Sequence, residues 1–323
     1  MPPVLTARRP RLSSGPRPSR PPRVVVLGDL MLDVVLAPRQ ALARGTDVPG
    51  QVALRQGGSA ATTARWLARL GARSTLVCAV GRDPAGRALV SALEGDGVRV
   101  RATRVAGERT GRIGVLVAPG GERSFIADRA AADRLAPADL AASTFRADLL
   151  HVPAYSLLGE PLGRAGRRAI ELARTGGALL SLDLASVGPL LADGRRAALR
   201  LVQEAAPDVL FATRSEAEAI SHGRDLTGLA DLAGVVAIKQ GRAGASVLIR
   251  TNDGLLTFDV ATTAIDAADT TGAGDAFDAG FLVAWLSADA SARHRPATIR
   301  RAVLAGHRAS ARQLTSPPKE LAL

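Results

Sequence analysis

The chain has 323 residues, a formal net charge of +12, 47% hydrophobic and 22% charged residues, and a single cysteine, Cys78. That length suits one large α/β domain or two unequal ones, with a core that needs no covalent staples. One cysteine excludes an intramolecular disulfide and a cysteine zinc site, and the apolar runs fall well short of the roughly 18 residues of a membrane span, so a reducing, cytoplasmic setting is expected.

Arg8, Arg9, Arg11, Arg17, Arg20 and Arg23 carry half of the positive excess with no acid among them, so residues 1–22 read as a Pro/Ser/Arg-rich disordered tail. No aromatic interleaves these arginines, which argues against a nucleic-acid-binding arm. Val24–Leu27 is a continuous apolar run ending at Gly28, as expected of a strand buried on both faces. Segments 34–54 and 98–128 lack a long helical pattern, and Ile113–Val117 and Arg123–Ala127 flank Pro119-Gly120-Gly121 as a hairpin would. These two segments predict a small β-sheet lid. Between and after them, strands at Thr75–Val80, Leu149–Val152, Ala178–Leu184, Asp208–Ala212 and Val235–Lys239 are separated by helical stretches. The helices are expected at Ser59–Leu70, Pro84–Leu93, Leu162–Arg174 and Arg195–Ala205. Strands linked through helices imply right-handed crossovers and a doubly wound, mostly parallel α/β sheet with helices on both faces. The expected domain covers residues 23–315, its last helix near Ala297–Gln313, with a short tail over 316–323.

The strongest chemical signal is Asp269-Thr270-Thr271-Gly272-Ala273-Gly274-Asp275-Ala276-Phe277, between the β segment Leu255–Val260 and a helical run. Small residues at Gly272, Ala273 and Gly274 let backbone amides approach an anion at a helix N-terminus. A carboxylate, Asp275, beside such an anion hole makes sense if it takes the proton from an attacking hydroxyl, as phosphoryl transfer requires. Taken alone, Asp275 would more often be a helix cap.

The sequence resembles the ribokinase-like (PfkB) family of carbohydrate and nucleoside kinases over roughly residues 23–315. The resemblance implies that Asp275 is the catalytic base, that the Gly272–Gly274 amides form the anion hole with Thr271 at the nucleotide side, and that ATP and Mg²⁺ take part. Gly57-Gly58-Ser59-Ala60-Ala61 is similar to the family's substrate-binding Gly-Gly motif, and Gly28 followed by Asp33 to its first-strand motif, whose Asp holds sugar hydroxyls. Lys239-Gln240-Gly241-Arg242-Ala243-Gly244 is similar to the nucleotide loop, although Gly241 and Gly244 also read as a hairpin turn. Three departures stand out. Thr213-Arg214-Ser215-Glu216 replaces an Asn-x-x-Glu motif, leaving Glu216 to organise Mg²⁺ through water or phosphate and Thr213 beside the nucleotide. Met31 and Thr62 stand where ribokinases proper have Asn, which argues against the ribokinase way of gripping ribose. Arg312-Gln313-Leu314-Thr315 replaces a Gly-containing segment near a monovalent-cation site, so dependence on such a cation stays open.

The leading reading is an ATP-dependent kinase of a small sugar. A nucleoside kinase of the same family and a non-catalytic sugar- or nucleotide-binding regulator are the alternatives, and an aromatic content of 3% favours a free sugar over a base that needs stacking. The exposed edge of the lid sheet allows a homodimer through the lid. Arg129 is a candidate for an anionic group on the substrate, Tyr155 reads first as a packed aromatic and second as a pocket wall, and His151, His222 and His307 read as structural or surface residues.

Overall fold

The computed structural model describes residues 20–118, 122–221, 223, 225–251, 254–263, 265, 267, 269–317 and 319–323. The first apolar run forms β1 (Arg23–Leu27). Its Val24 and Val26 pack into one helical layer and Val25 and Leu27 into the other, the double burial that an unbroken apolar strand requires. The chain continues through β2 (Met31–Pro38), β3 (Gly50–Gly57), α1 (Ser59–Arg69), β4 (Arg73–Gly81), α2 (Pro84–Gly95), β5 (Arg99–Val105), β6 (Arg112–Val117), β7 (Arg123–Asp128) and β8 (Leu149–Pro153). The second half follows with α3 (Leu162–Thr175), β9 (Leu179–Asp183), the single-turn α4 (Val187–Leu190), α5 (Arg195–Ala205), β10 (Val209–Thr213), α6 (Arg214–Ser221), β11 (Val235–Lys239), β12 (Ala245–Thr251), β13 (Gly254–Val260), α7 (Ala273–Leu286) and α8 (Pro296–Thr315).

Nine strands form one sheet in the order β13-β12-β11-β10-β9-β8-β1-β4-β5, in which every neighbouring pair is parallel except β11–β12 and β12–β13. Helices α1, α2, α7 and α8 cover one face and α3, α5 and α6 the other. The strand order departs from β1 in both directions, which places the ligand crevice of a doubly wound sheet outside the carboxyl end of β1. Helix α7, apolar almost all round, lies against the sheet. Phe211 of β10 stands edge-on to Phe277 and Phe281 at 6.3 and 5.2 Å between ring centroids, which fixes the first turns of α7 over the strand ends.

The lid is a separate four-stranded sheet, β3-β2-β6-β7. Its composition corrects the expected boundaries. Arg99–Val105 pairs in parallel with β4, from Thr75↔Arg99 to Gly81↔Val105, and so is the edge of the large sheet rather than part of the lid. The reason is topological: β4, α2 and β5 make one crossover unit, and Val100 and Ala102 pack against the core. The lid gains residues at its other end, because β2 begins at Met31 and β3 runs on to Gly57. Its expected turn, 119–121, lies outside the described residues, as does His222.

Both expected tails are held in part. Arg20 forms a bidentate pair with Asp148 at 2.6 and 2.8 Å, and the Pro22 carbonyl accepts from the Arg73 amide at 2.8 Å; residues 1–19 lie outside the described residues. At the other end the Leu321 amide donates to the Leu54 carbonyl of β3 at 2.7 Å, so Leu321 is tied to the lid instead of trailing free. Among the described residues no helix is long and apolar enough to cross a membrane.

Candidate active site

The glycine string forms the start of α7. Gly272 caps the helix with φ +75°, a conformation that an L side chain adopts only with strain, and its carbonyl accepts from the Ala276 amide at 2.9 Å. The Ala273 amide turns back to the Thr270 carbonyl at 3.2 Å, so of the three amides expected to form an anion hole it is already engaged. Gly274 and Asp275 present the first-turn amides that a helix leaves without intrahelical partners. The loop before them is braced by the Asp269 carboxylate, which accepts from the Thr271 amide at 2.9 Å, from Arg55 at 3.0 Å and from Arg123 at 2.9 Å.

Ser59, at the start of α1, donates its hydroxyl to Asp275 Oδ1 at 2.6 Å. Burial pushes the Asp275 carboxyl up to about 7; the Ser59 hydrogen bond opposes that rise and the negative charge of Asp183 adds to it. A half-buried carboxyl that changes state near neutrality, beside free amides at a helix start, is suited to accepting a proton from a hydroxyl that attacks a phosphate.

Gly57 joins this group to Asp33. A Cβ at Gly57 would stand 1.8 Å from Asp33 Oδ1, so only glycine lets β3 pass so close to the carboxylate. Asp33 is 8% exposed, its Oδ1 is buried with no protein partner, and burial pushes its carboxyl up to about 7, with the charge of Asp29 adding and Arg55 opposing. A buried acceptor left unpaired costs stability until a donor arrives, which is what sugar hydroxyls supply. Gly57→Ala should therefore raise the acceptor KM at least about tenfold, since one good charged hydrogen bond contributes 1.5–3 kcal/mol, with the KM for ATP within about twofold. Steady-state ADP release checks this.

Asp29, at the carboxyl end of β1, is a site residue that the sequence reading missed. It accepts from the Ala60 amide and from Arg129 Nη1, both at 3.2 Å, and its own carbonyl limits the space at Gly58. Arg129 also donates to Asp133 at 2.6 Å and lies over the Tyr155 ring at 5.4 Å, so the two candidates from sequence share one cluster. Thr62 spends its hydroxyl on the Gly58 carbonyl at 2.9 Å, and its methyl faces Gly272 instead of an open pocket.

At the carboxyl end of β10, where the sequence predicts the nucleotide, Glu216 accepts from the Thr213 amide at 2.7 Å, while the Thr213 hydroxyl accepts from the Glu216 amide at 3.3 Å. Burial and then the charge of Asp183 push the Glu216 carboxyl above its ordinary value. Gly241 and Gly244 lie in the turn of the β11–β12 hairpin, where the Gln240 amide donates to the Gly244 carbonyl. Lys239 is the main correction. Its ammonium does not enter the nucleotide loop but is buried against Asp183 at 3.0 Å and Asp278 at 3.1 Å, behind Gly274. Burial alone would depress the ammonium; the two carboxylates reverse that and hold it charged. Among the described residues no group of three or more His, Cys, Asp or Glu side chains could hold a metal ion.

Missed by sequence reasoning were Ser59, Asp29, Asp183, Asp278 and Gln313. Asp29 and Asp183 had a readable signal, an acidic residue at the carboxyl end of a parallel strand. The model described as pfkB family carbohydrate kinase matches residues 21–318. A fructokinase from Klebsiella pneumoniae is 32% identical over 80% of this chain and 83% of its own. Among solved structures, fructokinase from Vibrio cholerae with fructose, ADP and calcium bound is 25% identical with a TM-score of 0.76, covering 92% of this chain and 94% of that one. Adenosine kinase from Sinorhizobium meliloti shares the fold at 21% identity and a TM-score of 0.78, covering 91% and 94%.

Proposed function

The chain belongs to the pfkB family of carbohydrate kinases, and on that premise we propose that it transfers the γ-phosphoryl group of ATP to a hydroxyl of a free sugar, D-fructose being the first acceptor to test. The observation that carries this reading is Asp275, a carboxyl with a pKa of about 7 held by Ser59 at the start of α7. The fructokinase relatives support fructose. Asp33 accepts hydrogen bonds from sugar hydroxyls and orients the acceptor. Asp275 takes the proton of the attacking hydroxyl as its oxygen bonds to phosphorus and the bond to the leaving ADP oxygen breaks. The amides of Gly274 and Asp275 receive the phosphoryl oxygens. Glu216 would hold Mg²⁺ through its waters, and the ion would supply neutralisation of the phosphate charge. Thr271, Thr213 and the Gly241–Gly244 turn border the nucleotide. The lid of β2, β3, β6 and β7 closes over the acceptor and excludes water.

A nucleoside acceptor has less support, because the Arg129 guanidinium already lies over the Tyr155 ring, a face a base would otherwise stack on. ADP release with Mg-ATP across hexoses, pentoses, sugar acids and nucleosides decides the matter. Stimulation by fructose supports the proposal; stimulation by a nucleoside alone replaces it. Leu36, Val52, Phe125 and Ile126 leave large apolar area exposed on the lid, which fits pairing of two lids in a homodimer. Sedimentation at micromolar concentration should then give a dimer, and Ile126→Lys a monomer. A fully buried Cys78, its thiol pushed up to about 12 by burial, fits a cytoplasmic enzyme that uses no thiol chemistry.

A further inference from the structure

The anion-hole loop ends in acceptors, and the chain's own donors reach them. The Thr271 carbonyl accepts from Gln313 Nε2 at 2.9 Å. The other end of the same side chain, Oε1, accepts from the Trp66 indole N–H of α1 at 2.9 Å. A carbonyl partner on one side and an N–H partner on the other leave the Gln313 amide one orientation. One helical turn earlier, the Ser310 hydroxyl donates to the Ala273 carbonyl at 2.7 Å, so α8 grips the start of α7 at two points. The Asp269 carboxylate is covered by two guanidinium groups from the lid, Arg55 and Arg123, and Thr270 Oγ1 accepts from Arg123 at 3.3 Å. Two carbonyls in the last turns of α8 are engaged as well. Thr315 Oγ1 donates to the Ala311 carbonyl at 2.9 Å and Ser316 Oγ to the Arg312 carbonyl at 2.6 Å.

A monovalent cation bound beside this loop would need several oxygen acceptors turned toward one point. Here the Asp269 carboxylate and the Thr271, Ala311 and Arg312 carbonyls each already meet a donor, and two of those donors carry full positive charge. The segment Arg312-Gln313-Leu314-Thr315 stays helical throughout, so its carbonyls point along the helix axis and do not converge on the loop. These residues do not fit a monovalent cation.

We propose that the phosphate-binding loop of this kinase is held by protein donors in place of a monovalent cation, with Gln313 as the positioning residue that ties the loop to α1. This rests on the kinase reading above. Gln313 touches no reacting atom in this arrangement. It fixes the Thr271–Gly272 peptide, and through it the direction of the Gly274 and Asp275 amides. A misdirected amide weakens binding of charge that develops in the transition state more than it weakens binding of the sugar.

The test compares wild type with Gln313→Glu, which keeps an acceptor for Trp66 but loses the donor to Thr271. ADP release from Mg-ATP and D-fructose is measured in KCl, NaCl and N-methyl-D-glucamine chloride at equal ionic strength. Wild-type rates are expected to agree within about twofold in all three salts. Gln313→Glu is expected to lose about tenfold in kcat with the fructose KM within about twofold, a split that loss of packing alone would not produce. Stimulation of the wild type more than about fivefold by K⁺, or full kcat in the variant, overturns the proposal. A second readout needs no acceptor: the shift in thermal midpoint caused by Mg-ADP. A shift equal in the three salts and smaller in Gln313→Glu supports the clamp even where fructose is not turned over, in which case the fructose reading alone fails. A wild-type shift that requires K⁺ overturns the clamp.

Discussion

Asp275→Asn is expected to lower kcat by about 10²- to 10⁴-fold, the range a positioned general base contributes, while the Kd for ATP changes less than about twofold. Asparagine keeps the shape and still accepts from Ser59, so the loss isolates proton transfer. A decrease below about tenfold, measured by ADP release at saturating acceptor, would remove Asp275 from that role. The wild-type pH profile carries the same information. The base must be ionised, so log kcat should rise with unit slope below about pH 7 and level off above it. Ser59→Ala removes the hydrogen bond that favours the carboxylate and should move that limb to higher pH. Stability has the opposite sign. A folded-state value raised from 3.8 to about 7 means the native protein binds this proton more tightly than the unfolded chain. The stabilisation is therefore complete below about pH 4 and is lost as pH rises through 7. Asp275→Asn should match wild type near pH 4 and exceed it at pH 8 by roughly 1–4 kcal/mol, the lower figure allowing for solvent screening at a half-buried group. Denaturant melts at the two pH values measure the difference.

The largest loss of stability is expected at Lys239. Its ammonium lies 3.0 Å from Asp183 and 3.1 Å from Asp278, with all three side chains at most 11% exposed. Burial and the neighbouring charge of Asp183 push the Asp278 carboxyl well above its ordinary value. Burial acts on Asp183 in the same direction, but the ammonium and a hydrogen bond from Asp278 outweigh it and hold Asp183 low. The ammonium therefore favours the ionised form of Asp183, while Asp278 holds its proton more readily than an ordinary carboxyl. Lys239→Met leaves the carboxyls without a cation and should cost about 3–5 kcal/mol. With the cation gone, both carboxyls hold their protons more tightly than the unfolded chain does, so the deficit should widen as pH rises from 5 to 8. Adding Asp278→Asn should recover part of the loss, because it removes one of the two groups that must otherwise share a proton. Urea midpoints of the single and double variants decide it, and a loss below about 1 kcal/mol in the single variant would contradict the role assigned to the triad.

The doubly wound sheet was legible in the residues alone. Apolar runs such as Val24–Leu27 alternate with helical periodicity along the whole chain, and both patterns are local properties of the residues. The loop proposed as an anion hole, with its proposed base, was legible for the same reason: Gly272, Gly274 and Asp275 lie within four residues, so one turn of backbone assembles them. Arg99–Val105 was misread because an edge strand of the large sheet and a strand of the lid carry the same half-polar pattern, and only the pairing partner separates them. Thr62 and Lys239 were placed by motif on the substrate and nucleotide sides, but hydrogen bonds to Gly58, Asp183 and Asp278 give them other partners. What only the tertiary structure decided are the contacts across long stretches of chain. Ser59 meets Asp275 across 216 residues, Gln313 meets Trp66 across 247, and Arg129 meets Asp29 across 100. No local pattern encodes such a pair, because each partner is an ordinary polar residue in its own segment. The first two pairs meet where α1, α7 and α8 converge on the carboxyl end of the sheet, and there burial gives an aspartate a pKa near neutrality and a glutamine the place beside the loop.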